Sequence, residues 1–189
     1  NDPLQEDLTI IVDEIDRLTK VVNQLLQFAK PGSEVKTSVR IGAVIHSTLV
    51  VLHHEAKQNN ITTFCQIPDD LPEIAADEGA LKEVFFNLLR NAIQAMPSGG
   101  EIHINAHYQP SSHAIQITVT DTGTGIAQGS FQKIFEPFYT TKQTGTGLGL
   151  SIVKKKLEDM EATIHAESNG HGASFVINFP LPEPLLVQT

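Results

Sequence analysis

The most regular apolar pattern lies in the first thirty residues, where Leu4, Leu8, Ile11, Ile15, Leu18, Val22, Leu25 and Ala29 recur at alternating spacings of four and three. One helix presents such a heptad seam along a single line. Asp13, Glu14, Asp16, Arg17 and Lys20 fall outside it. The spacing predicts a helix over 4–29, about 39 Å long at the usual rise. Ile10, Val21, Leu26 and Phe28 widen the stripe, which suits a helical bundle better than a two-stranded coil. The alternative is an amphipathic helix lying on its own globular domain. Pro31-Gly32-Ser33 stops the pattern, since proline breaks the hydrogen-bond ladder and glycine frees the backbone. The expected organisation is a helix and linker over 1–32, a globular domain over 33–182 and a tail over 183–189.

Beyond the linker the period changes repeatedly. A short strand is predicted near 35–39, a helix over 41–58, a strand over 61–67 and a loop over 68–72. Asp77 reads as the N-cap of a helix that runs to about Met96 and is stopped by Pro97-Ser98-Gly99-Gly100. Alternating runs over 101–107 and 114–120 flank Gln109-Pro110-Ser111-Ser112 and read as a hairpin. A glycine-rich stretch leads to a helix over 149–160 and strands over 163–167 and 173–179. Paired strands with helices between them predict an α+β fold, a two-layer sandwich with helices on one face of a mixed sheet. No internal repeat or low-complexity segment interrupts it.

Composition then removes several function classes. A hydrophobic content of 40% with 19% charged residues describes an ordinary globular chain and argues against disorder. Thirteen Lys and Arg against 22 Asp and Glu give a net charge of -9, which repels nucleic-acid backbones, so no nucleic-acid partner is expected. The longest apolar stretch, 41–52, is broken by His46, Ser47 and Thr48 and falls short of the roughly 20 residues of a membrane helix. Cys65 is alone, which leaves no internal disulfide or thiolate cage. The opening Asn1-Asp2-Pro3 lacks an initiator Met and a leader pattern, so the chain reads as a piece of a longer protein. Any membrane attachment would then lie in other segments. His46, His53, His54, His103, His107, His113, His165 and His171 fall mostly on polar faces or turns and read as surface residues.

Four separated stretches carry candidate chemistry. In Glu83-Val84-Phe85-Phe86-Asn87-Leu88-Leu89-Arg90-Asn91-Ala92, the residues Glu83, Asn87 and Asn91 stand at i, i+4 and i+8, one side of a helix. Neutral amide oxygens beside a phosphate chain can hold Mg2+ without adding repulsive charge. Asparagine is a poor helix former, so two in mid-helix require a reason. In Asp121-Thr122-Gly123-Thr124-Gly125-Ile126 a strand delivers a carboxylate to the sheet end, where it can accept an exocyclic amine while the glycines approach a flat ring. Phe135-Glu136-Pro137-Phe138-Tyr139-Thr140-Thr141-Lys142 precedes Gly145-Thr146-Gly147-Leu148-Gly149-Leu150-Ser151, a glycine turn into a helix N-terminus. Such a turn offers free N–H groups to phosphates, with Thr140, Thr141 and Lys142 as further donors. Neither a Walker nor a Rossmann spacing is present.

In this order the four stretches resemble the catalytic core of a sensor histidine kinase over essentially the whole chain. Asn87 to Ala92 is similar to that family's N box, Asp121 to Gly125 to its first glycine box, Phe135 to Phe138 to its F box and Gly145 to Gly149 to its second glycine box. Gly170-His171-Gly172-Ala173-Ser174-Phe175 resembles its closing strand turn, and Phe-Tyr-Thr-Thr-Lys before Gly-Thr-Gly-Leu-Gly-Leu is most similar to the nitrogen-regulation-like branch. The resemblance implies a Bergerat-type ATP fold, ATP and Mg2+ as cofactors, and a mobile lid over 129–144. It implies an ATP site of Asn87, Asn91, Asp121, Gly123, Gly125, Ile126, Phe138, Thr140, Thr141, Lys142, Gly145, Thr146, Gly147, Leu148 and Gly149. Asn91 and Asn87 would be at the metal, and Glu83, Asn87 and Lys142 would be catalytic. Asp121 would read adenine.

The helix over 4–29, with Glu14-Ile15-Asp16-Arg17-Leu18, is similar to the second helix of the family's dimerisation hairpin. The first helix, which carries the phospho-acceptor histidine, has no counterpart in this sequence. His54-Glu55 lies in the catalytic domain, and Asn1-Asp2-Pro3-Leu4 stands too close to Asp16 for a helix and its return. A response regulator, homodimerisation of the full-length protein and a cytoplasmic location follow from the same resemblance. Glu161-Ala162 stands where the family usually has two glycines. A gyrase-like ATPase is the second reading, but it needs a glutamate where Asn87 stands, and an amide takes no proton from water. A dimerising scaffold that signals through its helix without activity of its own is the third.

Overall fold

The computed structural model describes residues 3–29, 36–142, 145–168 and 170–182. In chain order its elements are α1 (Pro3–Ala29), β1 (Thr37–Val39), α2 (Ile41–Gln58), β2 (Ile61–Gln66), β3 (Ile74–Ala76), α3 (Glu78–Gln94), β4 (Gly100–Gln109), β5 (Ala114–Asp121), a 3-10 turn (Lys133–Phe135), α4 (Gly149–Asp159), β6 (Thr163–Glu167) and β7 (Ser174–Pro180). Alternation lays down the sheet. Ile102, Ile104 and Ala106 on β4, with Ile115, Ile117 and Val119 on β5, are buried, and the residues between them are more exposed on β4 and polar on β5. Five strands pair in the order β2-β4-β5-β7-β6, and β1 pairs separately with β3. Within the five, β2 and β4 run parallel, and α3 supplies the long crossover that parallel neighbours need.

The helices α2, α3 and α4 form the second layer, with α3 packed against both of the others. Ile41, Val44, Ile45 and Leu52 of α2, Val84, Phe85, Leu88 and Leu89 of α3, and Val153 and Leu157 of α4 join one core with the apolar side of the sheet. Each such side chain stabilises the fold by about 1.5–3 kcal/mol relative to exposure. Asp77 caps α3 by accepting the Ala80 amide at 3.0 Å. The two-layer α+β arrangement agrees with the sequence reading.

Several boundaries differ for identifiable reasons. The predicted strand over 35–39 shortens to Thr37–Val39, and position 35 lies outside the described residues. Its partner β3 was not expected, because Ile74-Ala75-Ala76 is three residues long and alanine carries little strand preference; pairing with β1 creates it. The strand expected over 114–120 extends to Asp121, which pairs with Ile102 and donates its amide to the Ala173 carbonyl. The Pro31-Gly32-Ser33 stop and the 183–189 tail lie outside the described residues.

Helix α1 touches the domain at α4, yet its seam stays open: Leu8, Ile11, Ile15, Leu18, Val22 and Leu25 are all exposed. An amphipathic helix lying seam-down on its own domain is therefore not what forms. Among the described residues, no helix is long and apolar enough to cross a membrane.

Candidate functional site

One end of α3 organises the polar chemistry. Asn87 and Asn91 lie a turn apart, half-buried, beside Leu88 and Ala92, which are buried. Asn87 donates through Nδ2 to the Glu83 carbonyl at 2.9 Å, which turns its Oδ1 outward. A Cβ built on Gly149, the first residue of α4, would stand 3.4 Å from Asn87 Oδ1 and 3.9 Å from Asn91 Nδ2, so both amides face the start of that helix. No side chain caps α4 at Leu148. Its first-turn N–H groups and helix dipole are therefore directed at the same space as the amides.

Lys142 closes this cluster. Its Nζ donates to Gln94 Oε1 at 2.8 Å and to Asn91 Oδ1 at 3.4 Å. Desolvation lowers the lysine pKa, the Arg90 guanidinium lowers it further, and Asp121 acts in the opposite sense. Arg90 itself packs over the Phe86 ring and stands 3.7 Å from Glu55.

Asp121, 3% exposed, arrives from the last position of β5. Its Oδ1 accepts the amides of Gly123 at 2.9 Å and Ala173 at 3.3 Å, and these bonds fix the carboxylate and leave Oδ2 for a ligand. Burial raises its pKa, and the two amide bonds and Lys142 pull it back. The glycines around it are needed for close approach. A Cβ on Gly172 would fall 1.9 Å from the Asp121 carbonyl oxygen, and one on Gly123 would fall 2.6 Å from that of Ala95. Thr124 also donates its amide to Ala95 at 3.2 Å, so the loop after Asp121 is tied to the end of α3. Ile126 donates its amide to Ser168 Oγ, and a Cβ on Gly125 would meet that oxygen at 2.7 Å.

The other glycine stretch is equally tight. Gly147 (φ 70°) leaves no room for a Cβ against the Phe138 backbone, 2.4 Å away, and Phe138 is itself left-handed (φ 67°) and 60% exposed. Gly145 sits against Thr140, whose Oγ1 accepts the Lys142 amide at 3.1 Å. Thr146 Oγ1 accepts the Leu148 amide at 3.4 Å, Leu148 is buried, and Thr141 is exposed.

The structure thus brings Asn87, Asn91, Lys142, Gly149 and Asp121 together at one edge of the helix layer. Glu83 is placed differently: its carboxylate pairs with Lys156 of α4 at 3.0 Å. Residues 143–144 of the expected lid lie outside the described residues. Sequence reasoning missed Gln94, although it stands three residues beyond Asn91 on the same helical side, and Ser168, for which no local signal existed.

Residues 76–183 match the family described as histidine kinase-, DNA gyrase B-, and HSP90-like ATPase. The chain belongs to that family. It is 36% identical over 183 residues to the signal transduction histidine-protein kinase AtoS of Escherichia coli, covering 96% of this chain and 30% of AtoS. A structure of full-length ShkA in complex with AMPPNP superposes with a TM-score of 0.79 at 27% identity, over 93% of this chain and 38% of ShkA. Histidine kinase ThkA in complex with the response regulator protein TrrA superposes with a TM-score of 0.77 at 28% identity, over 96% of this chain and 52% of ThkA. The chain therefore spans about a third of AtoS and of ShkA and half of ThkA, and AtoS and ThkA bear the histidine-kinase name that the motif order suggested.

Mg2+ is the metal such a site implies, and the donor set fits it. Asn87 and Asn91 offer neutral oxygens, and Asn91 Oδ1 already draws a cationic group, the Lys142 ammonium. Among the described residues no three His, Cys, Asp or Glu side chains form a ligand cluster, so phosphate oxygens and water would complete the shell.

Proposed function

We propose that this domain binds Mg-ATP at the edge between α3 and α4. The protein it belongs to would be a protein-histidine kinase of the nitrogen-regulation-like branch, passing the γ-phosphoryl to a histidine outside this sequence and on to a response regulator. The observation that carries the reading is the meeting of the Asn87 and Asn91 amides with the Gly149 helix start, the Lys142 ammonium on Asn91 Oδ1 and the buried Asp121 carboxylate near enough to feel the lysine charge. Asp121 Oδ2 accepts the adenine amine, with Gly123, Gly125 and Ile126 forming the ring's surroundings. Asn91 and Asn87 hold Mg2+, which supplies charge neutralisation between the phosphates. Thr140, Thr141 and Lys142, with the backbone of Gly145, Thr146, Gly147, Leu148 and Gly149, receive the phosphate oxygens, and Phe138 walls the site. Lys142 stabilises the charge that develops on the transferring group. Glu83, held by Lys156, positions α4 against Asn87.

Hydrolysis of the gyrase-like kind is not favoured. Asn87 cannot take a proton from water, and the nearest carboxylate on that helix side is engaged with an ammonium. In the full-length protein the open seam of α1 joins a dimer, and the domain works in the cytoplasm. Radiolabelled ATP tests the reading. The chain alone binds Mg-ATP without labelling itself, and it labels a separate acceptor-helix protein when one is added. Strong label on the chain alone, or no transfer to any acceptor helix, overturns it.

A further inference from the structure

We infer that Gln94 sets nucleotide affinity at this site by holding the Lys142 ammonium against Asn91 in the free protein, so that Mg-ATP enters by displacing it. The inference rests on the reading of Asn91 as a magnesium-nucleotide residue. Lys142 Nζ makes its shorter bond to Gln94 Oε1, 2.8 Å, and its longer one to Asn91 Oδ1, 3.4 Å, so Gln94 is the principal anchor. Asn91 has a single carbonyl oxygen. An ammonium and a divalent cation cannot both stand at contact distance from it, because their mutual repulsion in a partly desolvated site exceeds what one neutral dipole returns.

The lysine's backbone is fixed independently of that contact. Its amide donates to Thr140 Oγ1 at 3.1 Å, and its Cβ lies 3.2 Å from where a Gly145 Cβ would stand. Displacement therefore needs only a swing of the flexible lysine stem, from the oxygens of α3 to phosphate oxygens. Gln94 is exposed and is not one of α3's buried residues, and its Oε1 accepts from Lys142 in the free chain. Gln94 is a positioning residue. It acts on nucleotide through Lys142, and the interaction it makes is present before binding and lost on binding.

The test is calorimetric titration of Mg-ATP into the whole chain carrying Gln94→Ala or Gln94→Met, the latter keeping the volume and removing the oxygen, each in the native and the Lys142→Ala background. Both Gln94 variants are expected to bind Mg-ATP about three- to tenfold tighter when Lys142 is present, the worth of one charge-assisted bond at an exposed position. With Lys142→Ala they are expected to change nothing. Weaker or unchanged binding in the native background, or the same gain without Lys142, overturns the inference, since a purely structural Gln94 would act in both backgrounds. Failure of every variant and the native chain to bind Mg-ATP overturns the nucleotide site itself, whereas binding that is indifferent to Gln94 overturns only the competition by lysine.

Discussion

Helices α1 and α3 carry similar amphipathic patterns and meet opposite fates. On α3 the stripe Leu81, Val84, Phe85, Leu88, Leu89, Ala92 and Ile93 is buried by the sheet and its neighbouring helices. On α1 the seam from Leu8 to Leu25 remains exposed along its whole length. Periodicity makes each segment a helix, but burial depends on what the chain can bring against the stripe. Helix α3 spends its apolar side inside the domain and leaves its polar side for chemistry. Helix α1 leaves its apolar side uncovered by the described residues.

The largest effect should separate the two stripes directly. Leu88, 1% exposed, replaced by alanine is expected to cost about 2–5 kcal/mol in urea unfolding, through lost transfer energy and the cavity left behind. Leu18, 56% exposed, replaced by alanine is expected to stay within about 0.5 kcal/mol in dilute solution. If Leu18→Ala costs as much as Leu88→Ala, the seam is covered in solution by another copy, and its cost should then fall on dilution.

The polar side of α3 sharpens the contrast, because substitutions there should change binding with little change in stability. Asn91→Asp is expected to weaken Mg-ATP binding at least tenfold, about 1.4 kcal/mol. It places an anion beside the triphosphate and tightens the grip on Lys142, which already reaches this side chain. Calorimetry showing unchanged affinity would remove Asn91 from the site. Asp121→Asn is expected to cost about tenfold for ATP and to narrow the preference over GTP. With Oδ1 still accepting the Gly123 and Ala173 amides, the free position becomes an NH2, a donor facing the adenine amine. Equal ATP and GTP affinities in the native chain would contradict the assigned pocket.

Much of this was legible in the sequence because the signals are local. The Asn87 and Asn91 spacing puts both amides on one helical side, Asp77 announces the α3 cap, and Thr163–Glu167 alternates as a strand. What escaped depends on distant chain. Strand β3 exists only through β1, and the commitment of Glu83 to Lys156 needs α4 folded back beside α3. The tightness of Gly172 against Asp121, and of Gly147 against Phe138, is likewise a property of two segments. Gln94 lies between these cases. Its helical side was readable, but its role requires Lys142, 48 residues away in sequence.

The smallest effect concerns the end of α4, a helix whose stripe is buried like that of α3 but whose exit is strained. Glu161 donates its amide to the Glu158 carbonyl and Ala162 to that of Leu157, a Schellman pattern that puts position 161 at φ 63°. Glycine takes that conformation freely and glutamate does not. Glu161→Gly is therefore expected to raise Tm by roughly 2 °C at neutral pH. The gain is reduced there because Glu161 accepts a 2.9 Å bond from Lys36. That hydrogen bond, with the lysine charge, holds the glutamate pKa below its ordinary value. A folded-state pKa below the unfolded one means that the pair stabilises above the unfolded value and is lost as pH falls through the folded one. The native chain thus loses the pair in acid while the glycine variant has none to lose, so the Tm gap should widen between pH 7 and pH 3. A gap that narrows on acidification would overturn the assigned role of the Lys36 pair, whereas a Tm that falls on Glu161→Gly at pH 3, where the pair is gone, would show that the backbone strain, and with it the comparison of a relaxed α3 cap with a strained α4 exit, has been misassigned.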